Sequence, residues 1–244
     1  MEAIIKMKDL HTHILHKVDD GPSLLEESLE ILNKAYLNGV TDIVLTPHYI
    51  NNSKYMVNNK EKKELVEELK TWLEVSNINI NLYLGNEVYI DDKVPSFIKE
   101  VSTINNSRYL LIELSLQEKT NNILSYIAKL KKKQITPIIA HPERYLAYYK
   151  DYDFFKELLK LGCLFQGNIG SLYGKYGIKS KIMIKYMLKN NMIHLMASDI
   201  HNKQDNIYQK NYYKKLLKIV KNKEIVADLL ENNFDKVINN EEII

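Results

Sequence analysis

The chain has few of the residues that build disulfide scaffolds or membrane spans. Its only cysteine is Cys163, which excludes an intramolecular disulfide and fits a reducing compartment. No apolar run approaches the roughly 20 residues that a membrane-spanning helix needs, and residues 1–8 lack the apolar core of a signal peptide. We therefore expect a cytoplasmic protein without membrane insertion.

Neither sign of charge is in large excess. The 244 residues include 34 basic and 31 acidic side chains, for a net charge of +3, and this balance argues against nucleic acid as a partner. Hydrophobic residues make up 45% of the chain, which at this length is enough for one substantial core. Because no linker, repeat or low-complexity segment interrupts the sequence, we predict a single domain over residues 1–244.

Short apolar segments alternate with amphipathic ones along the chain. The predicted strands are residues 8–11, 42–46, 80–85, 108–113, 136–140, 163–167 and 193–197. Helices are predicted between them. The first opens at a capping box formed by Ser23 and Glu26, and the last segment, 208–232, forms one or two helices. Seven strands separated by helices predict an α/β fold with a parallel sheet. Polar residues at so many strand ends favour a closed or nearly closed barrel.

Histidine and carboxylate side chains stand where these strands end. His11 and His13 end the first strand at a spacing that puts both imidazoles on one face, and Asp199 and His201 repeat that spacing after the last strand. The other strand-end residues of this kind are His48, Glu87, Glu113 and His141. The carboxyl ends of parallel barrel strands open on one face, where active sites form. The sequence therefore predicts a metal site that brings the first and last strands together.

Two neighbouring aspartates, Asp19 and Asp20, follow the first histidine pair. Both are typical turn formers, but their position makes one of them a candidate ligand. His16 and His194 have no comparable position, and we interpret them as ordinary structural histidines.

These motifs resemble the polymerase-and-histidinol-phosphatase (PHP) superfamily. Within it, the chain is similar to the manganese-dependent protein-tyrosine phosphatases of bacterial capsule and exopolysaccharide operons. The resemblance begins with His11-Thr12-His13-Ile14-Leu15, Asp19-Asp20-Gly21, Glu26-Glu27-Ser28 and Thr46-Pro47-His48. It continues in the same order with His141-Pro142-Glu143-Arg144-Tyr145, Gln166-Gly167-Asn168 and Ala197-Ser198-Asp199-Ile200-His201-Asn202. It implies a single-domain, distorted (β/α)7 TIM-like barrel, the PHP fold, with up to three metal ions at its mouth.

The resemblance also implies nine metal ligands in three overlapping sets, with Glu87 shared by two of them. The first set is His11, His13, Glu87 and Asp199. The second set is Glu87, Glu113 and His141. The third set is Asp20, His48 and His201.

Imidazole and carboxylate ligands without a thiolate suit manganese, iron or zinc, and the resemblance favours Mn²⁺. The implied reaction is attack of a metal-bound hydroxide on the phosphorus of phosphotyrosine, without a phosphoenzyme. Asp199 and His201 belong to the implied catalytic site, and Arg144 binds the phosphate there unless it forms a surface ion pair. The implied partner is the phosphotyrosine tail of a bacterial tyrosine kinase. A cysteine-dependent mechanism is excluded because Ile169 occupies the arginine position of a C-x5-R loop starting at Cys163.

Other functions remain open on the same residues. A small-molecule phosphomonoesterase such as a histidinol phosphatase would use the same metals, and a nuclease or a non-catalytic regulatory partner is a further alternative. The chain also departs from the family, which usually has an arginine a few residues beyond the final histidine. Arg108 and Arg144 are its only arginines. We therefore expect weaker phosphate binding unless Lys203 or Lys210 takes that role.

Overall fold

The computed structural model describes residues 7–90 and 100–243. The described strands are β1 (Lys8–Thr12), β2 (Asp42–Leu45), β3 (His48–Tyr49), β4 (Asn81–Leu84), β5 (Glu87–Tyr89), β6 (Tyr109–Glu113), β7 (Thr136–Ala140), β8 (Leu164–Asn168) and β9 (Leu195–Ala197). One sheet has the order β1-β2-β4 and the other the order β3-β5-β6-β7-β8-β9. All these strand pairs are parallel. The predicted α/β class with parallel strands is confirmed.

Helices connect most of the strands. They are α1 (Leu25–Leu37), α2 (Asn59–Val75), α3 (Ile123–Lys132), α4 (Tyr152–Lys160), α5 (Ile169–Tyr173), α6 (Gly177–Lys189), α7 (Tyr212–Val220), α8 (Lys223–Ala227) and α9 (Asn233–Ile238). A π-helical turn, Asp228–Asn232, joins α8 to α9, so the final helical segment extends beyond the predicted end at residue 232. Within residues 7–90 and 100–243, no helix is long and apolar enough to cross a membrane.

Strand β6 shows why several strands have continuously apolar sequences. Successive side chains of a strand point to opposite faces. Leu110 and Ile112 join the large core shared with the helices, while Tyr109 and Leu111 join a smaller core formed mainly by strand residues. Both faces of this parallel sheet are therefore buried, as is usual for such sheets. Phe234 of α9 completes the smaller core.

Two short strands, β3 and β5, were not predicted. Each follows a brief interruption, after β2 and β4 respectively. Pro47 has no N–H to continue the ladder, and the Glu87 N–H donates to Thr46 O at 3.3 Å. The chain therefore changes sheets at this point, which places His48 and Glu87 in the second sheet. The described residues form nine strands where the sequence predicted seven.

The first strand contacts the segment that follows the last one. Thr12 forms an isolated parallel bridge with Ile200. The Asp199 N–H donates to His11 O at 3.0 Å, and the His13 N–H donates to Ile200 O at 2.9 Å. The predicted approach of the first and last strands is confirmed, because these hydrogen bonds join the first strand to the residues just after the last one.

The predicted capping box at the start of α1 is wrong. The helix begins after Leu24, and no side chain caps its amino end. The N–H and hydroxyl of Ser23 instead donate to Glu27 Oε2, at 3.1 and 3.3 Å. The acidic partner of Ser23 is therefore one residue further along the chain than the predicted Glu26.

Candidate metal centre

The predicted ligands meet near the carboxyl ends of β1, β2, β4, β6, β7 and β9. His48 begins β3, Glu87 begins β5 and Glu113 ends β6. His141 and Asp199 follow β7 and β9 with φ angles of 31° and 53°. Both angles lie in the left-handed region, which aspartate and histidine adopt more readily than most other residues besides glycine.

Four buried side chains converge and are called the inner group: His11, His13, Glu87 and Asp199. The Nε2 atoms of the two histidines are 3.0 Å apart. Glu87 Oε2 lies 3.3 and 3.2 Å from them, and Asp199 Oδ1 lies 3.5 and 3.6 Å from them. Ligands of a tetrahedral ion with bonds of about 2.1 Å are roughly 3.4 Å apart. These spacings therefore suit one shared ion.

Hydrogen bonds orient both histidines of the inner group. His11 Nδ1 lies 2.8 Å from Gln166 Oε1, and His13 Nδ1 lies 2.7 Å from Asp19 Oδ2. Both partner atoms are acceptors, so each Nδ1 carries a proton, and a neutral imidazole then presents a bare lone pair at Nε2. Two such lone pairs 3.0 Å apart repel each other, so the arrangement favours a shared proton or a metal ion between them.

Asp199 is held from the side that faces away from these histidines. Its Oδ2 accepts hydrogen bonds from Arg144 Nη1 at 2.6 Å, Asn168 Nδ2 at 2.6 Å and the Tyr176 hydroxyl at 3.3 Å. Asn168 Oδ1 in turn accepts from Gln166 Nε2 at 2.9 Å. Because Gln166 also binds the first histidine, one buried chain of hydrogen bonds fixes two members of the inner group relative to each other.

Three partly exposed side chains form the outer group: Asp20, His48 and His201. Asp20 Oδ1 lies 3.5 Å from His48 Nε2 and 3.4 Å from His201 Nε2. The Asp20 side chain is 50% exposed and that of His201 is 25% exposed. The His13 ring stacks on His201 with centroids 4.0 Å apart, and donor atoms of all four residues lie within 4.8 Å of one another. The outer group therefore adjoins the inner group through His13. The resemblance assigned His13 only to the first set of metal ligands.

Glu87 connects the whole cluster. Its Oε1 lies 3.0 Å from His141 Nε2, and its Oε2 lies 3.0 Å from His48 Nδ1. Glu113 Oε1 lies 3.6 Å from His141 Nε2, and donor atoms of His48, Glu87 and Glu113 lie within 4.8 Å of one another. All nine predicted ligands thus come together. His48, which was assigned to the third set, also lies beside Glu87 and Glu113 of the second set. Their role as metal ligands stays a prediction.

The two glutamates of the cluster have opposite pKa shifts. Burial acts to raise the pKa of Glu87, but the imidazoles of His11 and His48 outweigh it and hold that pKa well below its usual value. Burial and then the charge of Glu87 raise the pKa of Glu113 to about 8. Burial lowers the pKa of His141 to about 4, which favours the neutral imidazole that binds metals.

Several buried polar atoms of the cluster lack a hydrogen bond. Among the described residues, Glu87 Oε2, His48 Nδ1 and His141 Nδ1 have no partner at hydrogen-bonding angles, although the first two atoms lie 3.0 Å apart. Buried polar atoms are nearly always satisfied, so these three atoms indicate a ligand of another kind. Imidazoles and carboxylates without thiolates are ligands of ions such as manganese, iron and zinc. The residues present therefore fit divalent metal ions.

The two candidate aspartates have different positions. The Asp19 side chain is buried, lies 2.7 Å from His13 Nδ1 and also accepts a hydrogen bond from the His48 N–H at 3.0 Å. Asp20 is the one that faces the two histidines of the outer group. Reasoning from the residues alone left the choice open, because the direction of each side chain depends on how the turn folds back onto the next strand. The resemblance named Asp20.

Three buried positioning residues were not assigned a role from the sequence. Gln166 and Asn168 lie on one face of β8, two residues apart, and form the hydrogen bonds described above. Glu143 accepts from the Asn168 N–H at 2.9 Å and from the Ser171 hydroxyl at 2.6 Å, which fixes the turn that carries Arg144. Polar residues at alternate positions of an apolar strand end were the signal available for the first two.

Arg144 lies at the edge of the inner group. Its side chain is 20% exposed, and its Cζ lies 4.1 Å from the centre of the Tyr176 ring. Arg144 does not form a mere surface ion pair, because its partner, Asp199, is buried. Lys203, one predicted substitute for the missing arginine, instead lies 3.1 Å from Glu30 Oε1 of α1.

The remaining histidines and the cysteine lie elsewhere. His16 Nε2 is 3.4 Å from Glu68 Oε2, and His194 Nδ1 accepts from the Phe165 N–H at 3.1 Å. Burial raises the pKa of the Cys163 thiol to about 12. The cysteine is therefore an inert core residue, because the thiolate form is the nucleophile.

The chain has relatives among known proteins. Residues 7–239 match the family model described as capsular polysaccharide synthesis, CpsB/CapC. The chain belongs to the CpsB/CapC family. CapC of Staphylococcus aureus is 36% identical over 232 residues, which cover 90% of this chain and 91% of CapC. The family resemblance predicted from the motifs is confirmed.

Solved structures agree with this CpsB/CapC membership. The first comes from the crystal structures of YwqE from Bacillus subtilis and CpsB from Streptococcus pneumoniae, described as metal-dependent tyrosine phosphatases. It has a TM-score of 0.89 and 27% identity, and the match covers 98% of this chain and 96% of that chain. A histidinol phosphate phosphatase from Lactococcus lactis has a TM-score of 0.60 and 13% identity, covering 87% of this chain and 93% of that chain. The second likeness shows the fold alone.

Proposed function

We propose that the protein is a metal-dependent protein-tyrosine phosphatase of capsule or exopolysaccharide biosynthesis. The observation that carries the proposal is the pair of inner-group Nε2 atoms 3.0 Å apart, with both Nδ1 protons committed to other acceptors. CpsB/CapC membership and the likeness to metal-dependent tyrosine phosphatases support this activity over other uses of a metal cluster.

The nine clustered side chains would hold up to three divalent ions, of which manganese is the expected one. The inner group would hold one, the outer group another, and Glu87, Glu113 and His141 a third. When bound, such ions supply the Lewis-acid activation of water and the charge neutralisation that phosphoester hydrolysis needs. The four carboxylates among the ligands leave part of the charge of three divalent ions unbalanced, which favours a dianionic phosphate.

Arg144 would bind the phosphate and orient it. One of its terminal nitrogens, Nη1, donates to Asp199, and the planar guanidinium has further donors that suit two phosphate oxygens at once. Stacking on Tyr176 restricts the plane of the guanidinium. The phenolate of tyrosine, with a pKa near 10, leaves with less protonation than an alkyl alcohol requires.

The finer structural and cellular predictions belong to the same proposal. The two sheets would form one distorted (β/α)7 barrel, and the contacts of β1 with both β2 and the segment after β9 support closure on that side. The substrate would be the phosphotyrosine tail of a bacterial tyrosine kinase, and the reaction would take place in the cytoplasm.

A side-by-side assay tests the proposal. With added manganese, the protein is given a phosphotyrosine peptide, the matching phosphoserine peptide and histidinol phosphate. We expect the largest kcat/KM for the phosphotyrosine peptide, and loss of activity with a chelator followed by recovery on adding manganese. A larger kcat/KM for histidinol phosphate would assign the site to a small-molecule phosphomonoesterase, and chelator-resistant hydrolysis would exclude the metal mechanism.

A further inference from the structure

The lysines of this chain are concentrated in one region. Residues 169–222 contain 11 of the 34 basic side chains but two of the 31 acidic ones, Asp199 and Asp205. Asp199 belongs to the inner group, and Asp205 pairs with Lys175. The small net charge of the chain therefore conceals a strong local excess of positive charge around α5, α6 and α7.

Four of these lysines lie close together and are called the lysine patch: Lys181, Lys185, Lys210 and Lys215. The Nζ atoms of Lys210 and Lys215 lie 5.7 and 3.8 Å from the centre of the Tyr173 ring. Partial burial and then the charges of the other three lysines lower the pKa of Lys215. None of the four forms an ion pair within 4.0 Å with a carboxylate in the described parts of the chain. The patch is thus a surface of like charges that the protein itself leaves uncompensated.

A groove that begins at Lys210 of the lysine patch extends to Asn202, beside the outer group. It has a volume of about 420 Å³, and its lining includes Tyr173, Lys175, Asn202, Asp205, Asn206 and Lys210. Asn202 directly follows His201 of the outer group. Lys175 Nζ lies 5.1 Å from the centre of the Tyr176 ring, the same ring on which Arg144 stacks. One aromatic ring therefore separates the groove from the arginine beside the inner group.

We propose that the groove and the lysine patch bind acidic residues flanking the phosphotyrosine of a polypeptide substrate. This inference rests on the proposed function, because it places the phosphotyrosine at the metal cluster. An extended peptide advances roughly 3.3 Å per residue, so the residues that follow the phosphotyrosine would run along the groove from Asn202 toward Lys210 and the rest of the patch. Uncompensated ammonium groups attract carboxylates and favour the encounter with an acidic segment.

A peptide suits this surface better than a nucleic acid does. Single-stranded nucleic acids are held by stacking of bases on aromatic side chains. The nearby rings already carry cations: Lys210 and Lys215 lie against Tyr173, while Arg144 and Lys175 lie against Tyr176. The surface therefore offers positive charge with little open aromatic area, which suits carboxylate side chains.

Two phosphotyrosine peptides with the same central sequence test the inference, one with glutamate flanks and one with glutamine flanks. In the triple variant Lys181→Gln, Lys185→Gln, Lys215→Gln, we expect kcat/KM for the glutamate peptide to fall roughly tenfold, or about 1.4 kcal/mol, mainly through KM. The glutamine peptide and p-nitrophenyl phosphate should be hydrolysed as before. Arginine at the same three positions should retain the preference for the glutamate peptide.

A matched control removes the same charge elsewhere. Lys129, Lys132 and Lys160 are exposed, and they lie near the ends of α3 and α4 that lead into the amino ends of β7 and β8, opposite the metal cluster. Their triple change to glutamine should leave the peptide preference intact. If it lowers kcat/KM for the glutamate peptide as much as the patch variant does, general charge accounts for the effect and the inference is overturned.

The other outcomes separate this inference from the proposed function. If the patch variant treats both peptides as the unaltered protein does, while both proteins hydrolyse p-nitrophenyl phosphate, the inference fails and the phosphatase function stands. If the unaltered protein with manganese hydrolyses none of the three substrates, the proposed function fails. If the patch variant loses only binding of a single-stranded DNA oligonucleotide and keeps the peptide preference, the patch belongs to nucleic acid and the inference is overturned.

Discussion

The inner group is buried and held by hydrogen bonds from other elements, whereas the outer group is partly exposed and has few such bonds. Gln166 and Asn168 of β8 bind two inner-group side chains, while His201 Nδ1 approaches the carbonyl of the nearby Asp199 at 3.1 Å. Asp20, at 50% exposure, is the least buried of the predicted ligands. A preorganised site loses less entropy when it binds a ligand, so we expect the inner group to bind its ion more tightly.

The change Glu87→Gln should weaken the inner and the outer group alike, because this carboxylate contacts histidines of both groups. It keeps the size of the side chain but removes the charge that the surrounding imidazoles stabilise. We expect kcat/KM to fall by roughly 1000-fold or more, about 4 kcal/mol, together with a loss of bound metal by elemental analysis. Normal metal content and activity in this variant would show that the cluster is not organised around Glu87.

Arg144→Ala tests the edge of the inner group. A charge-assisted hydrogen bond contributes roughly 1.5–3 kcal/mol, so we expect kcat/KM to fall roughly 10- to 150-fold. Metal content should not change, because Asn168 and Tyr176 still bind Asp199. Arg108→Ala is the matched control, since Arg108 binds Asn240 near the carboxyl end of the chain and should leave kcat/KM unaltered. Equal effects of the two changes would remove Arg144 from the phosphate site.

Asn168→Ala tests whether hydrogen bonds strengthen metal binding by the inner group, because it removes the hydrogen bond from Asn168 to Asp199. Loss of a hydrogen-bond partner behind a metal ligand typically costs roughly 10- to 100-fold in metal affinity. We expect a loss in that range when manganese is titrated into the metal-free variant. Asn190→Ala removes an amide that binds only the Tyr186 carbonyl on an exposed helix end, and its affinity should match that of the unaltered protein.

Asp20→Asn tests the outer group and should have a milder effect. Because half of this side chain is exposed, solvent replaces part of what it contributes. We expect less than about a tenfold fall in kcat/KM, because exposed charge interactions are commonly worth no more than about 1 kcal/mol. Partial chelation should remove about one ion per chain before the others. If Asp20→Asn reduces metal content as severely as Glu87→Gln does, the two groups do not differ in strength.

Cys163→Ser lies outside both groups and has the smallest expected effect. The thiol is buried with a pKa of about 12, so little thiolate exists at neutral pH. Hydrolysis of a phosphotyrosine peptide should stay within about twofold of the unaltered protein. Abolished turnover in a folded, metal-loaded variant would mean that a thiolate, and not the metal cluster, provides the nucleophile.

Much of the fold and the candidate ligands could be predicted from the sequence, because both depend on local patterns. Apolar segments mark the strands, and His11, His48, Glu113 and His141 stand directly at their ends. The parallel α/β class follows from the alternation of strands and helices. The meeting of the first and last strands was predicted from the two ligand pairs, His11 with His13 and Asp199 with His201. The breaks before β3 and β5 were missed. These strands are only two and three residues long, which is too short to show an alternation of apolar and polar residues.

Which ligand atoms meet, and which neighbours hold them, was decided by the tertiary structure. Gln166 and Asn168 act on residues more than 30 positions away, and Lys210 and Lys215 approach Tyr173 from a later segment of the chain. The pattern of apolar and polar residues that predicts a strand or a helix extends over only a few residues of the sequence. Distances between side chains of different elements are fixed only when the sheets and helices pack, because one core then sets the position of them all.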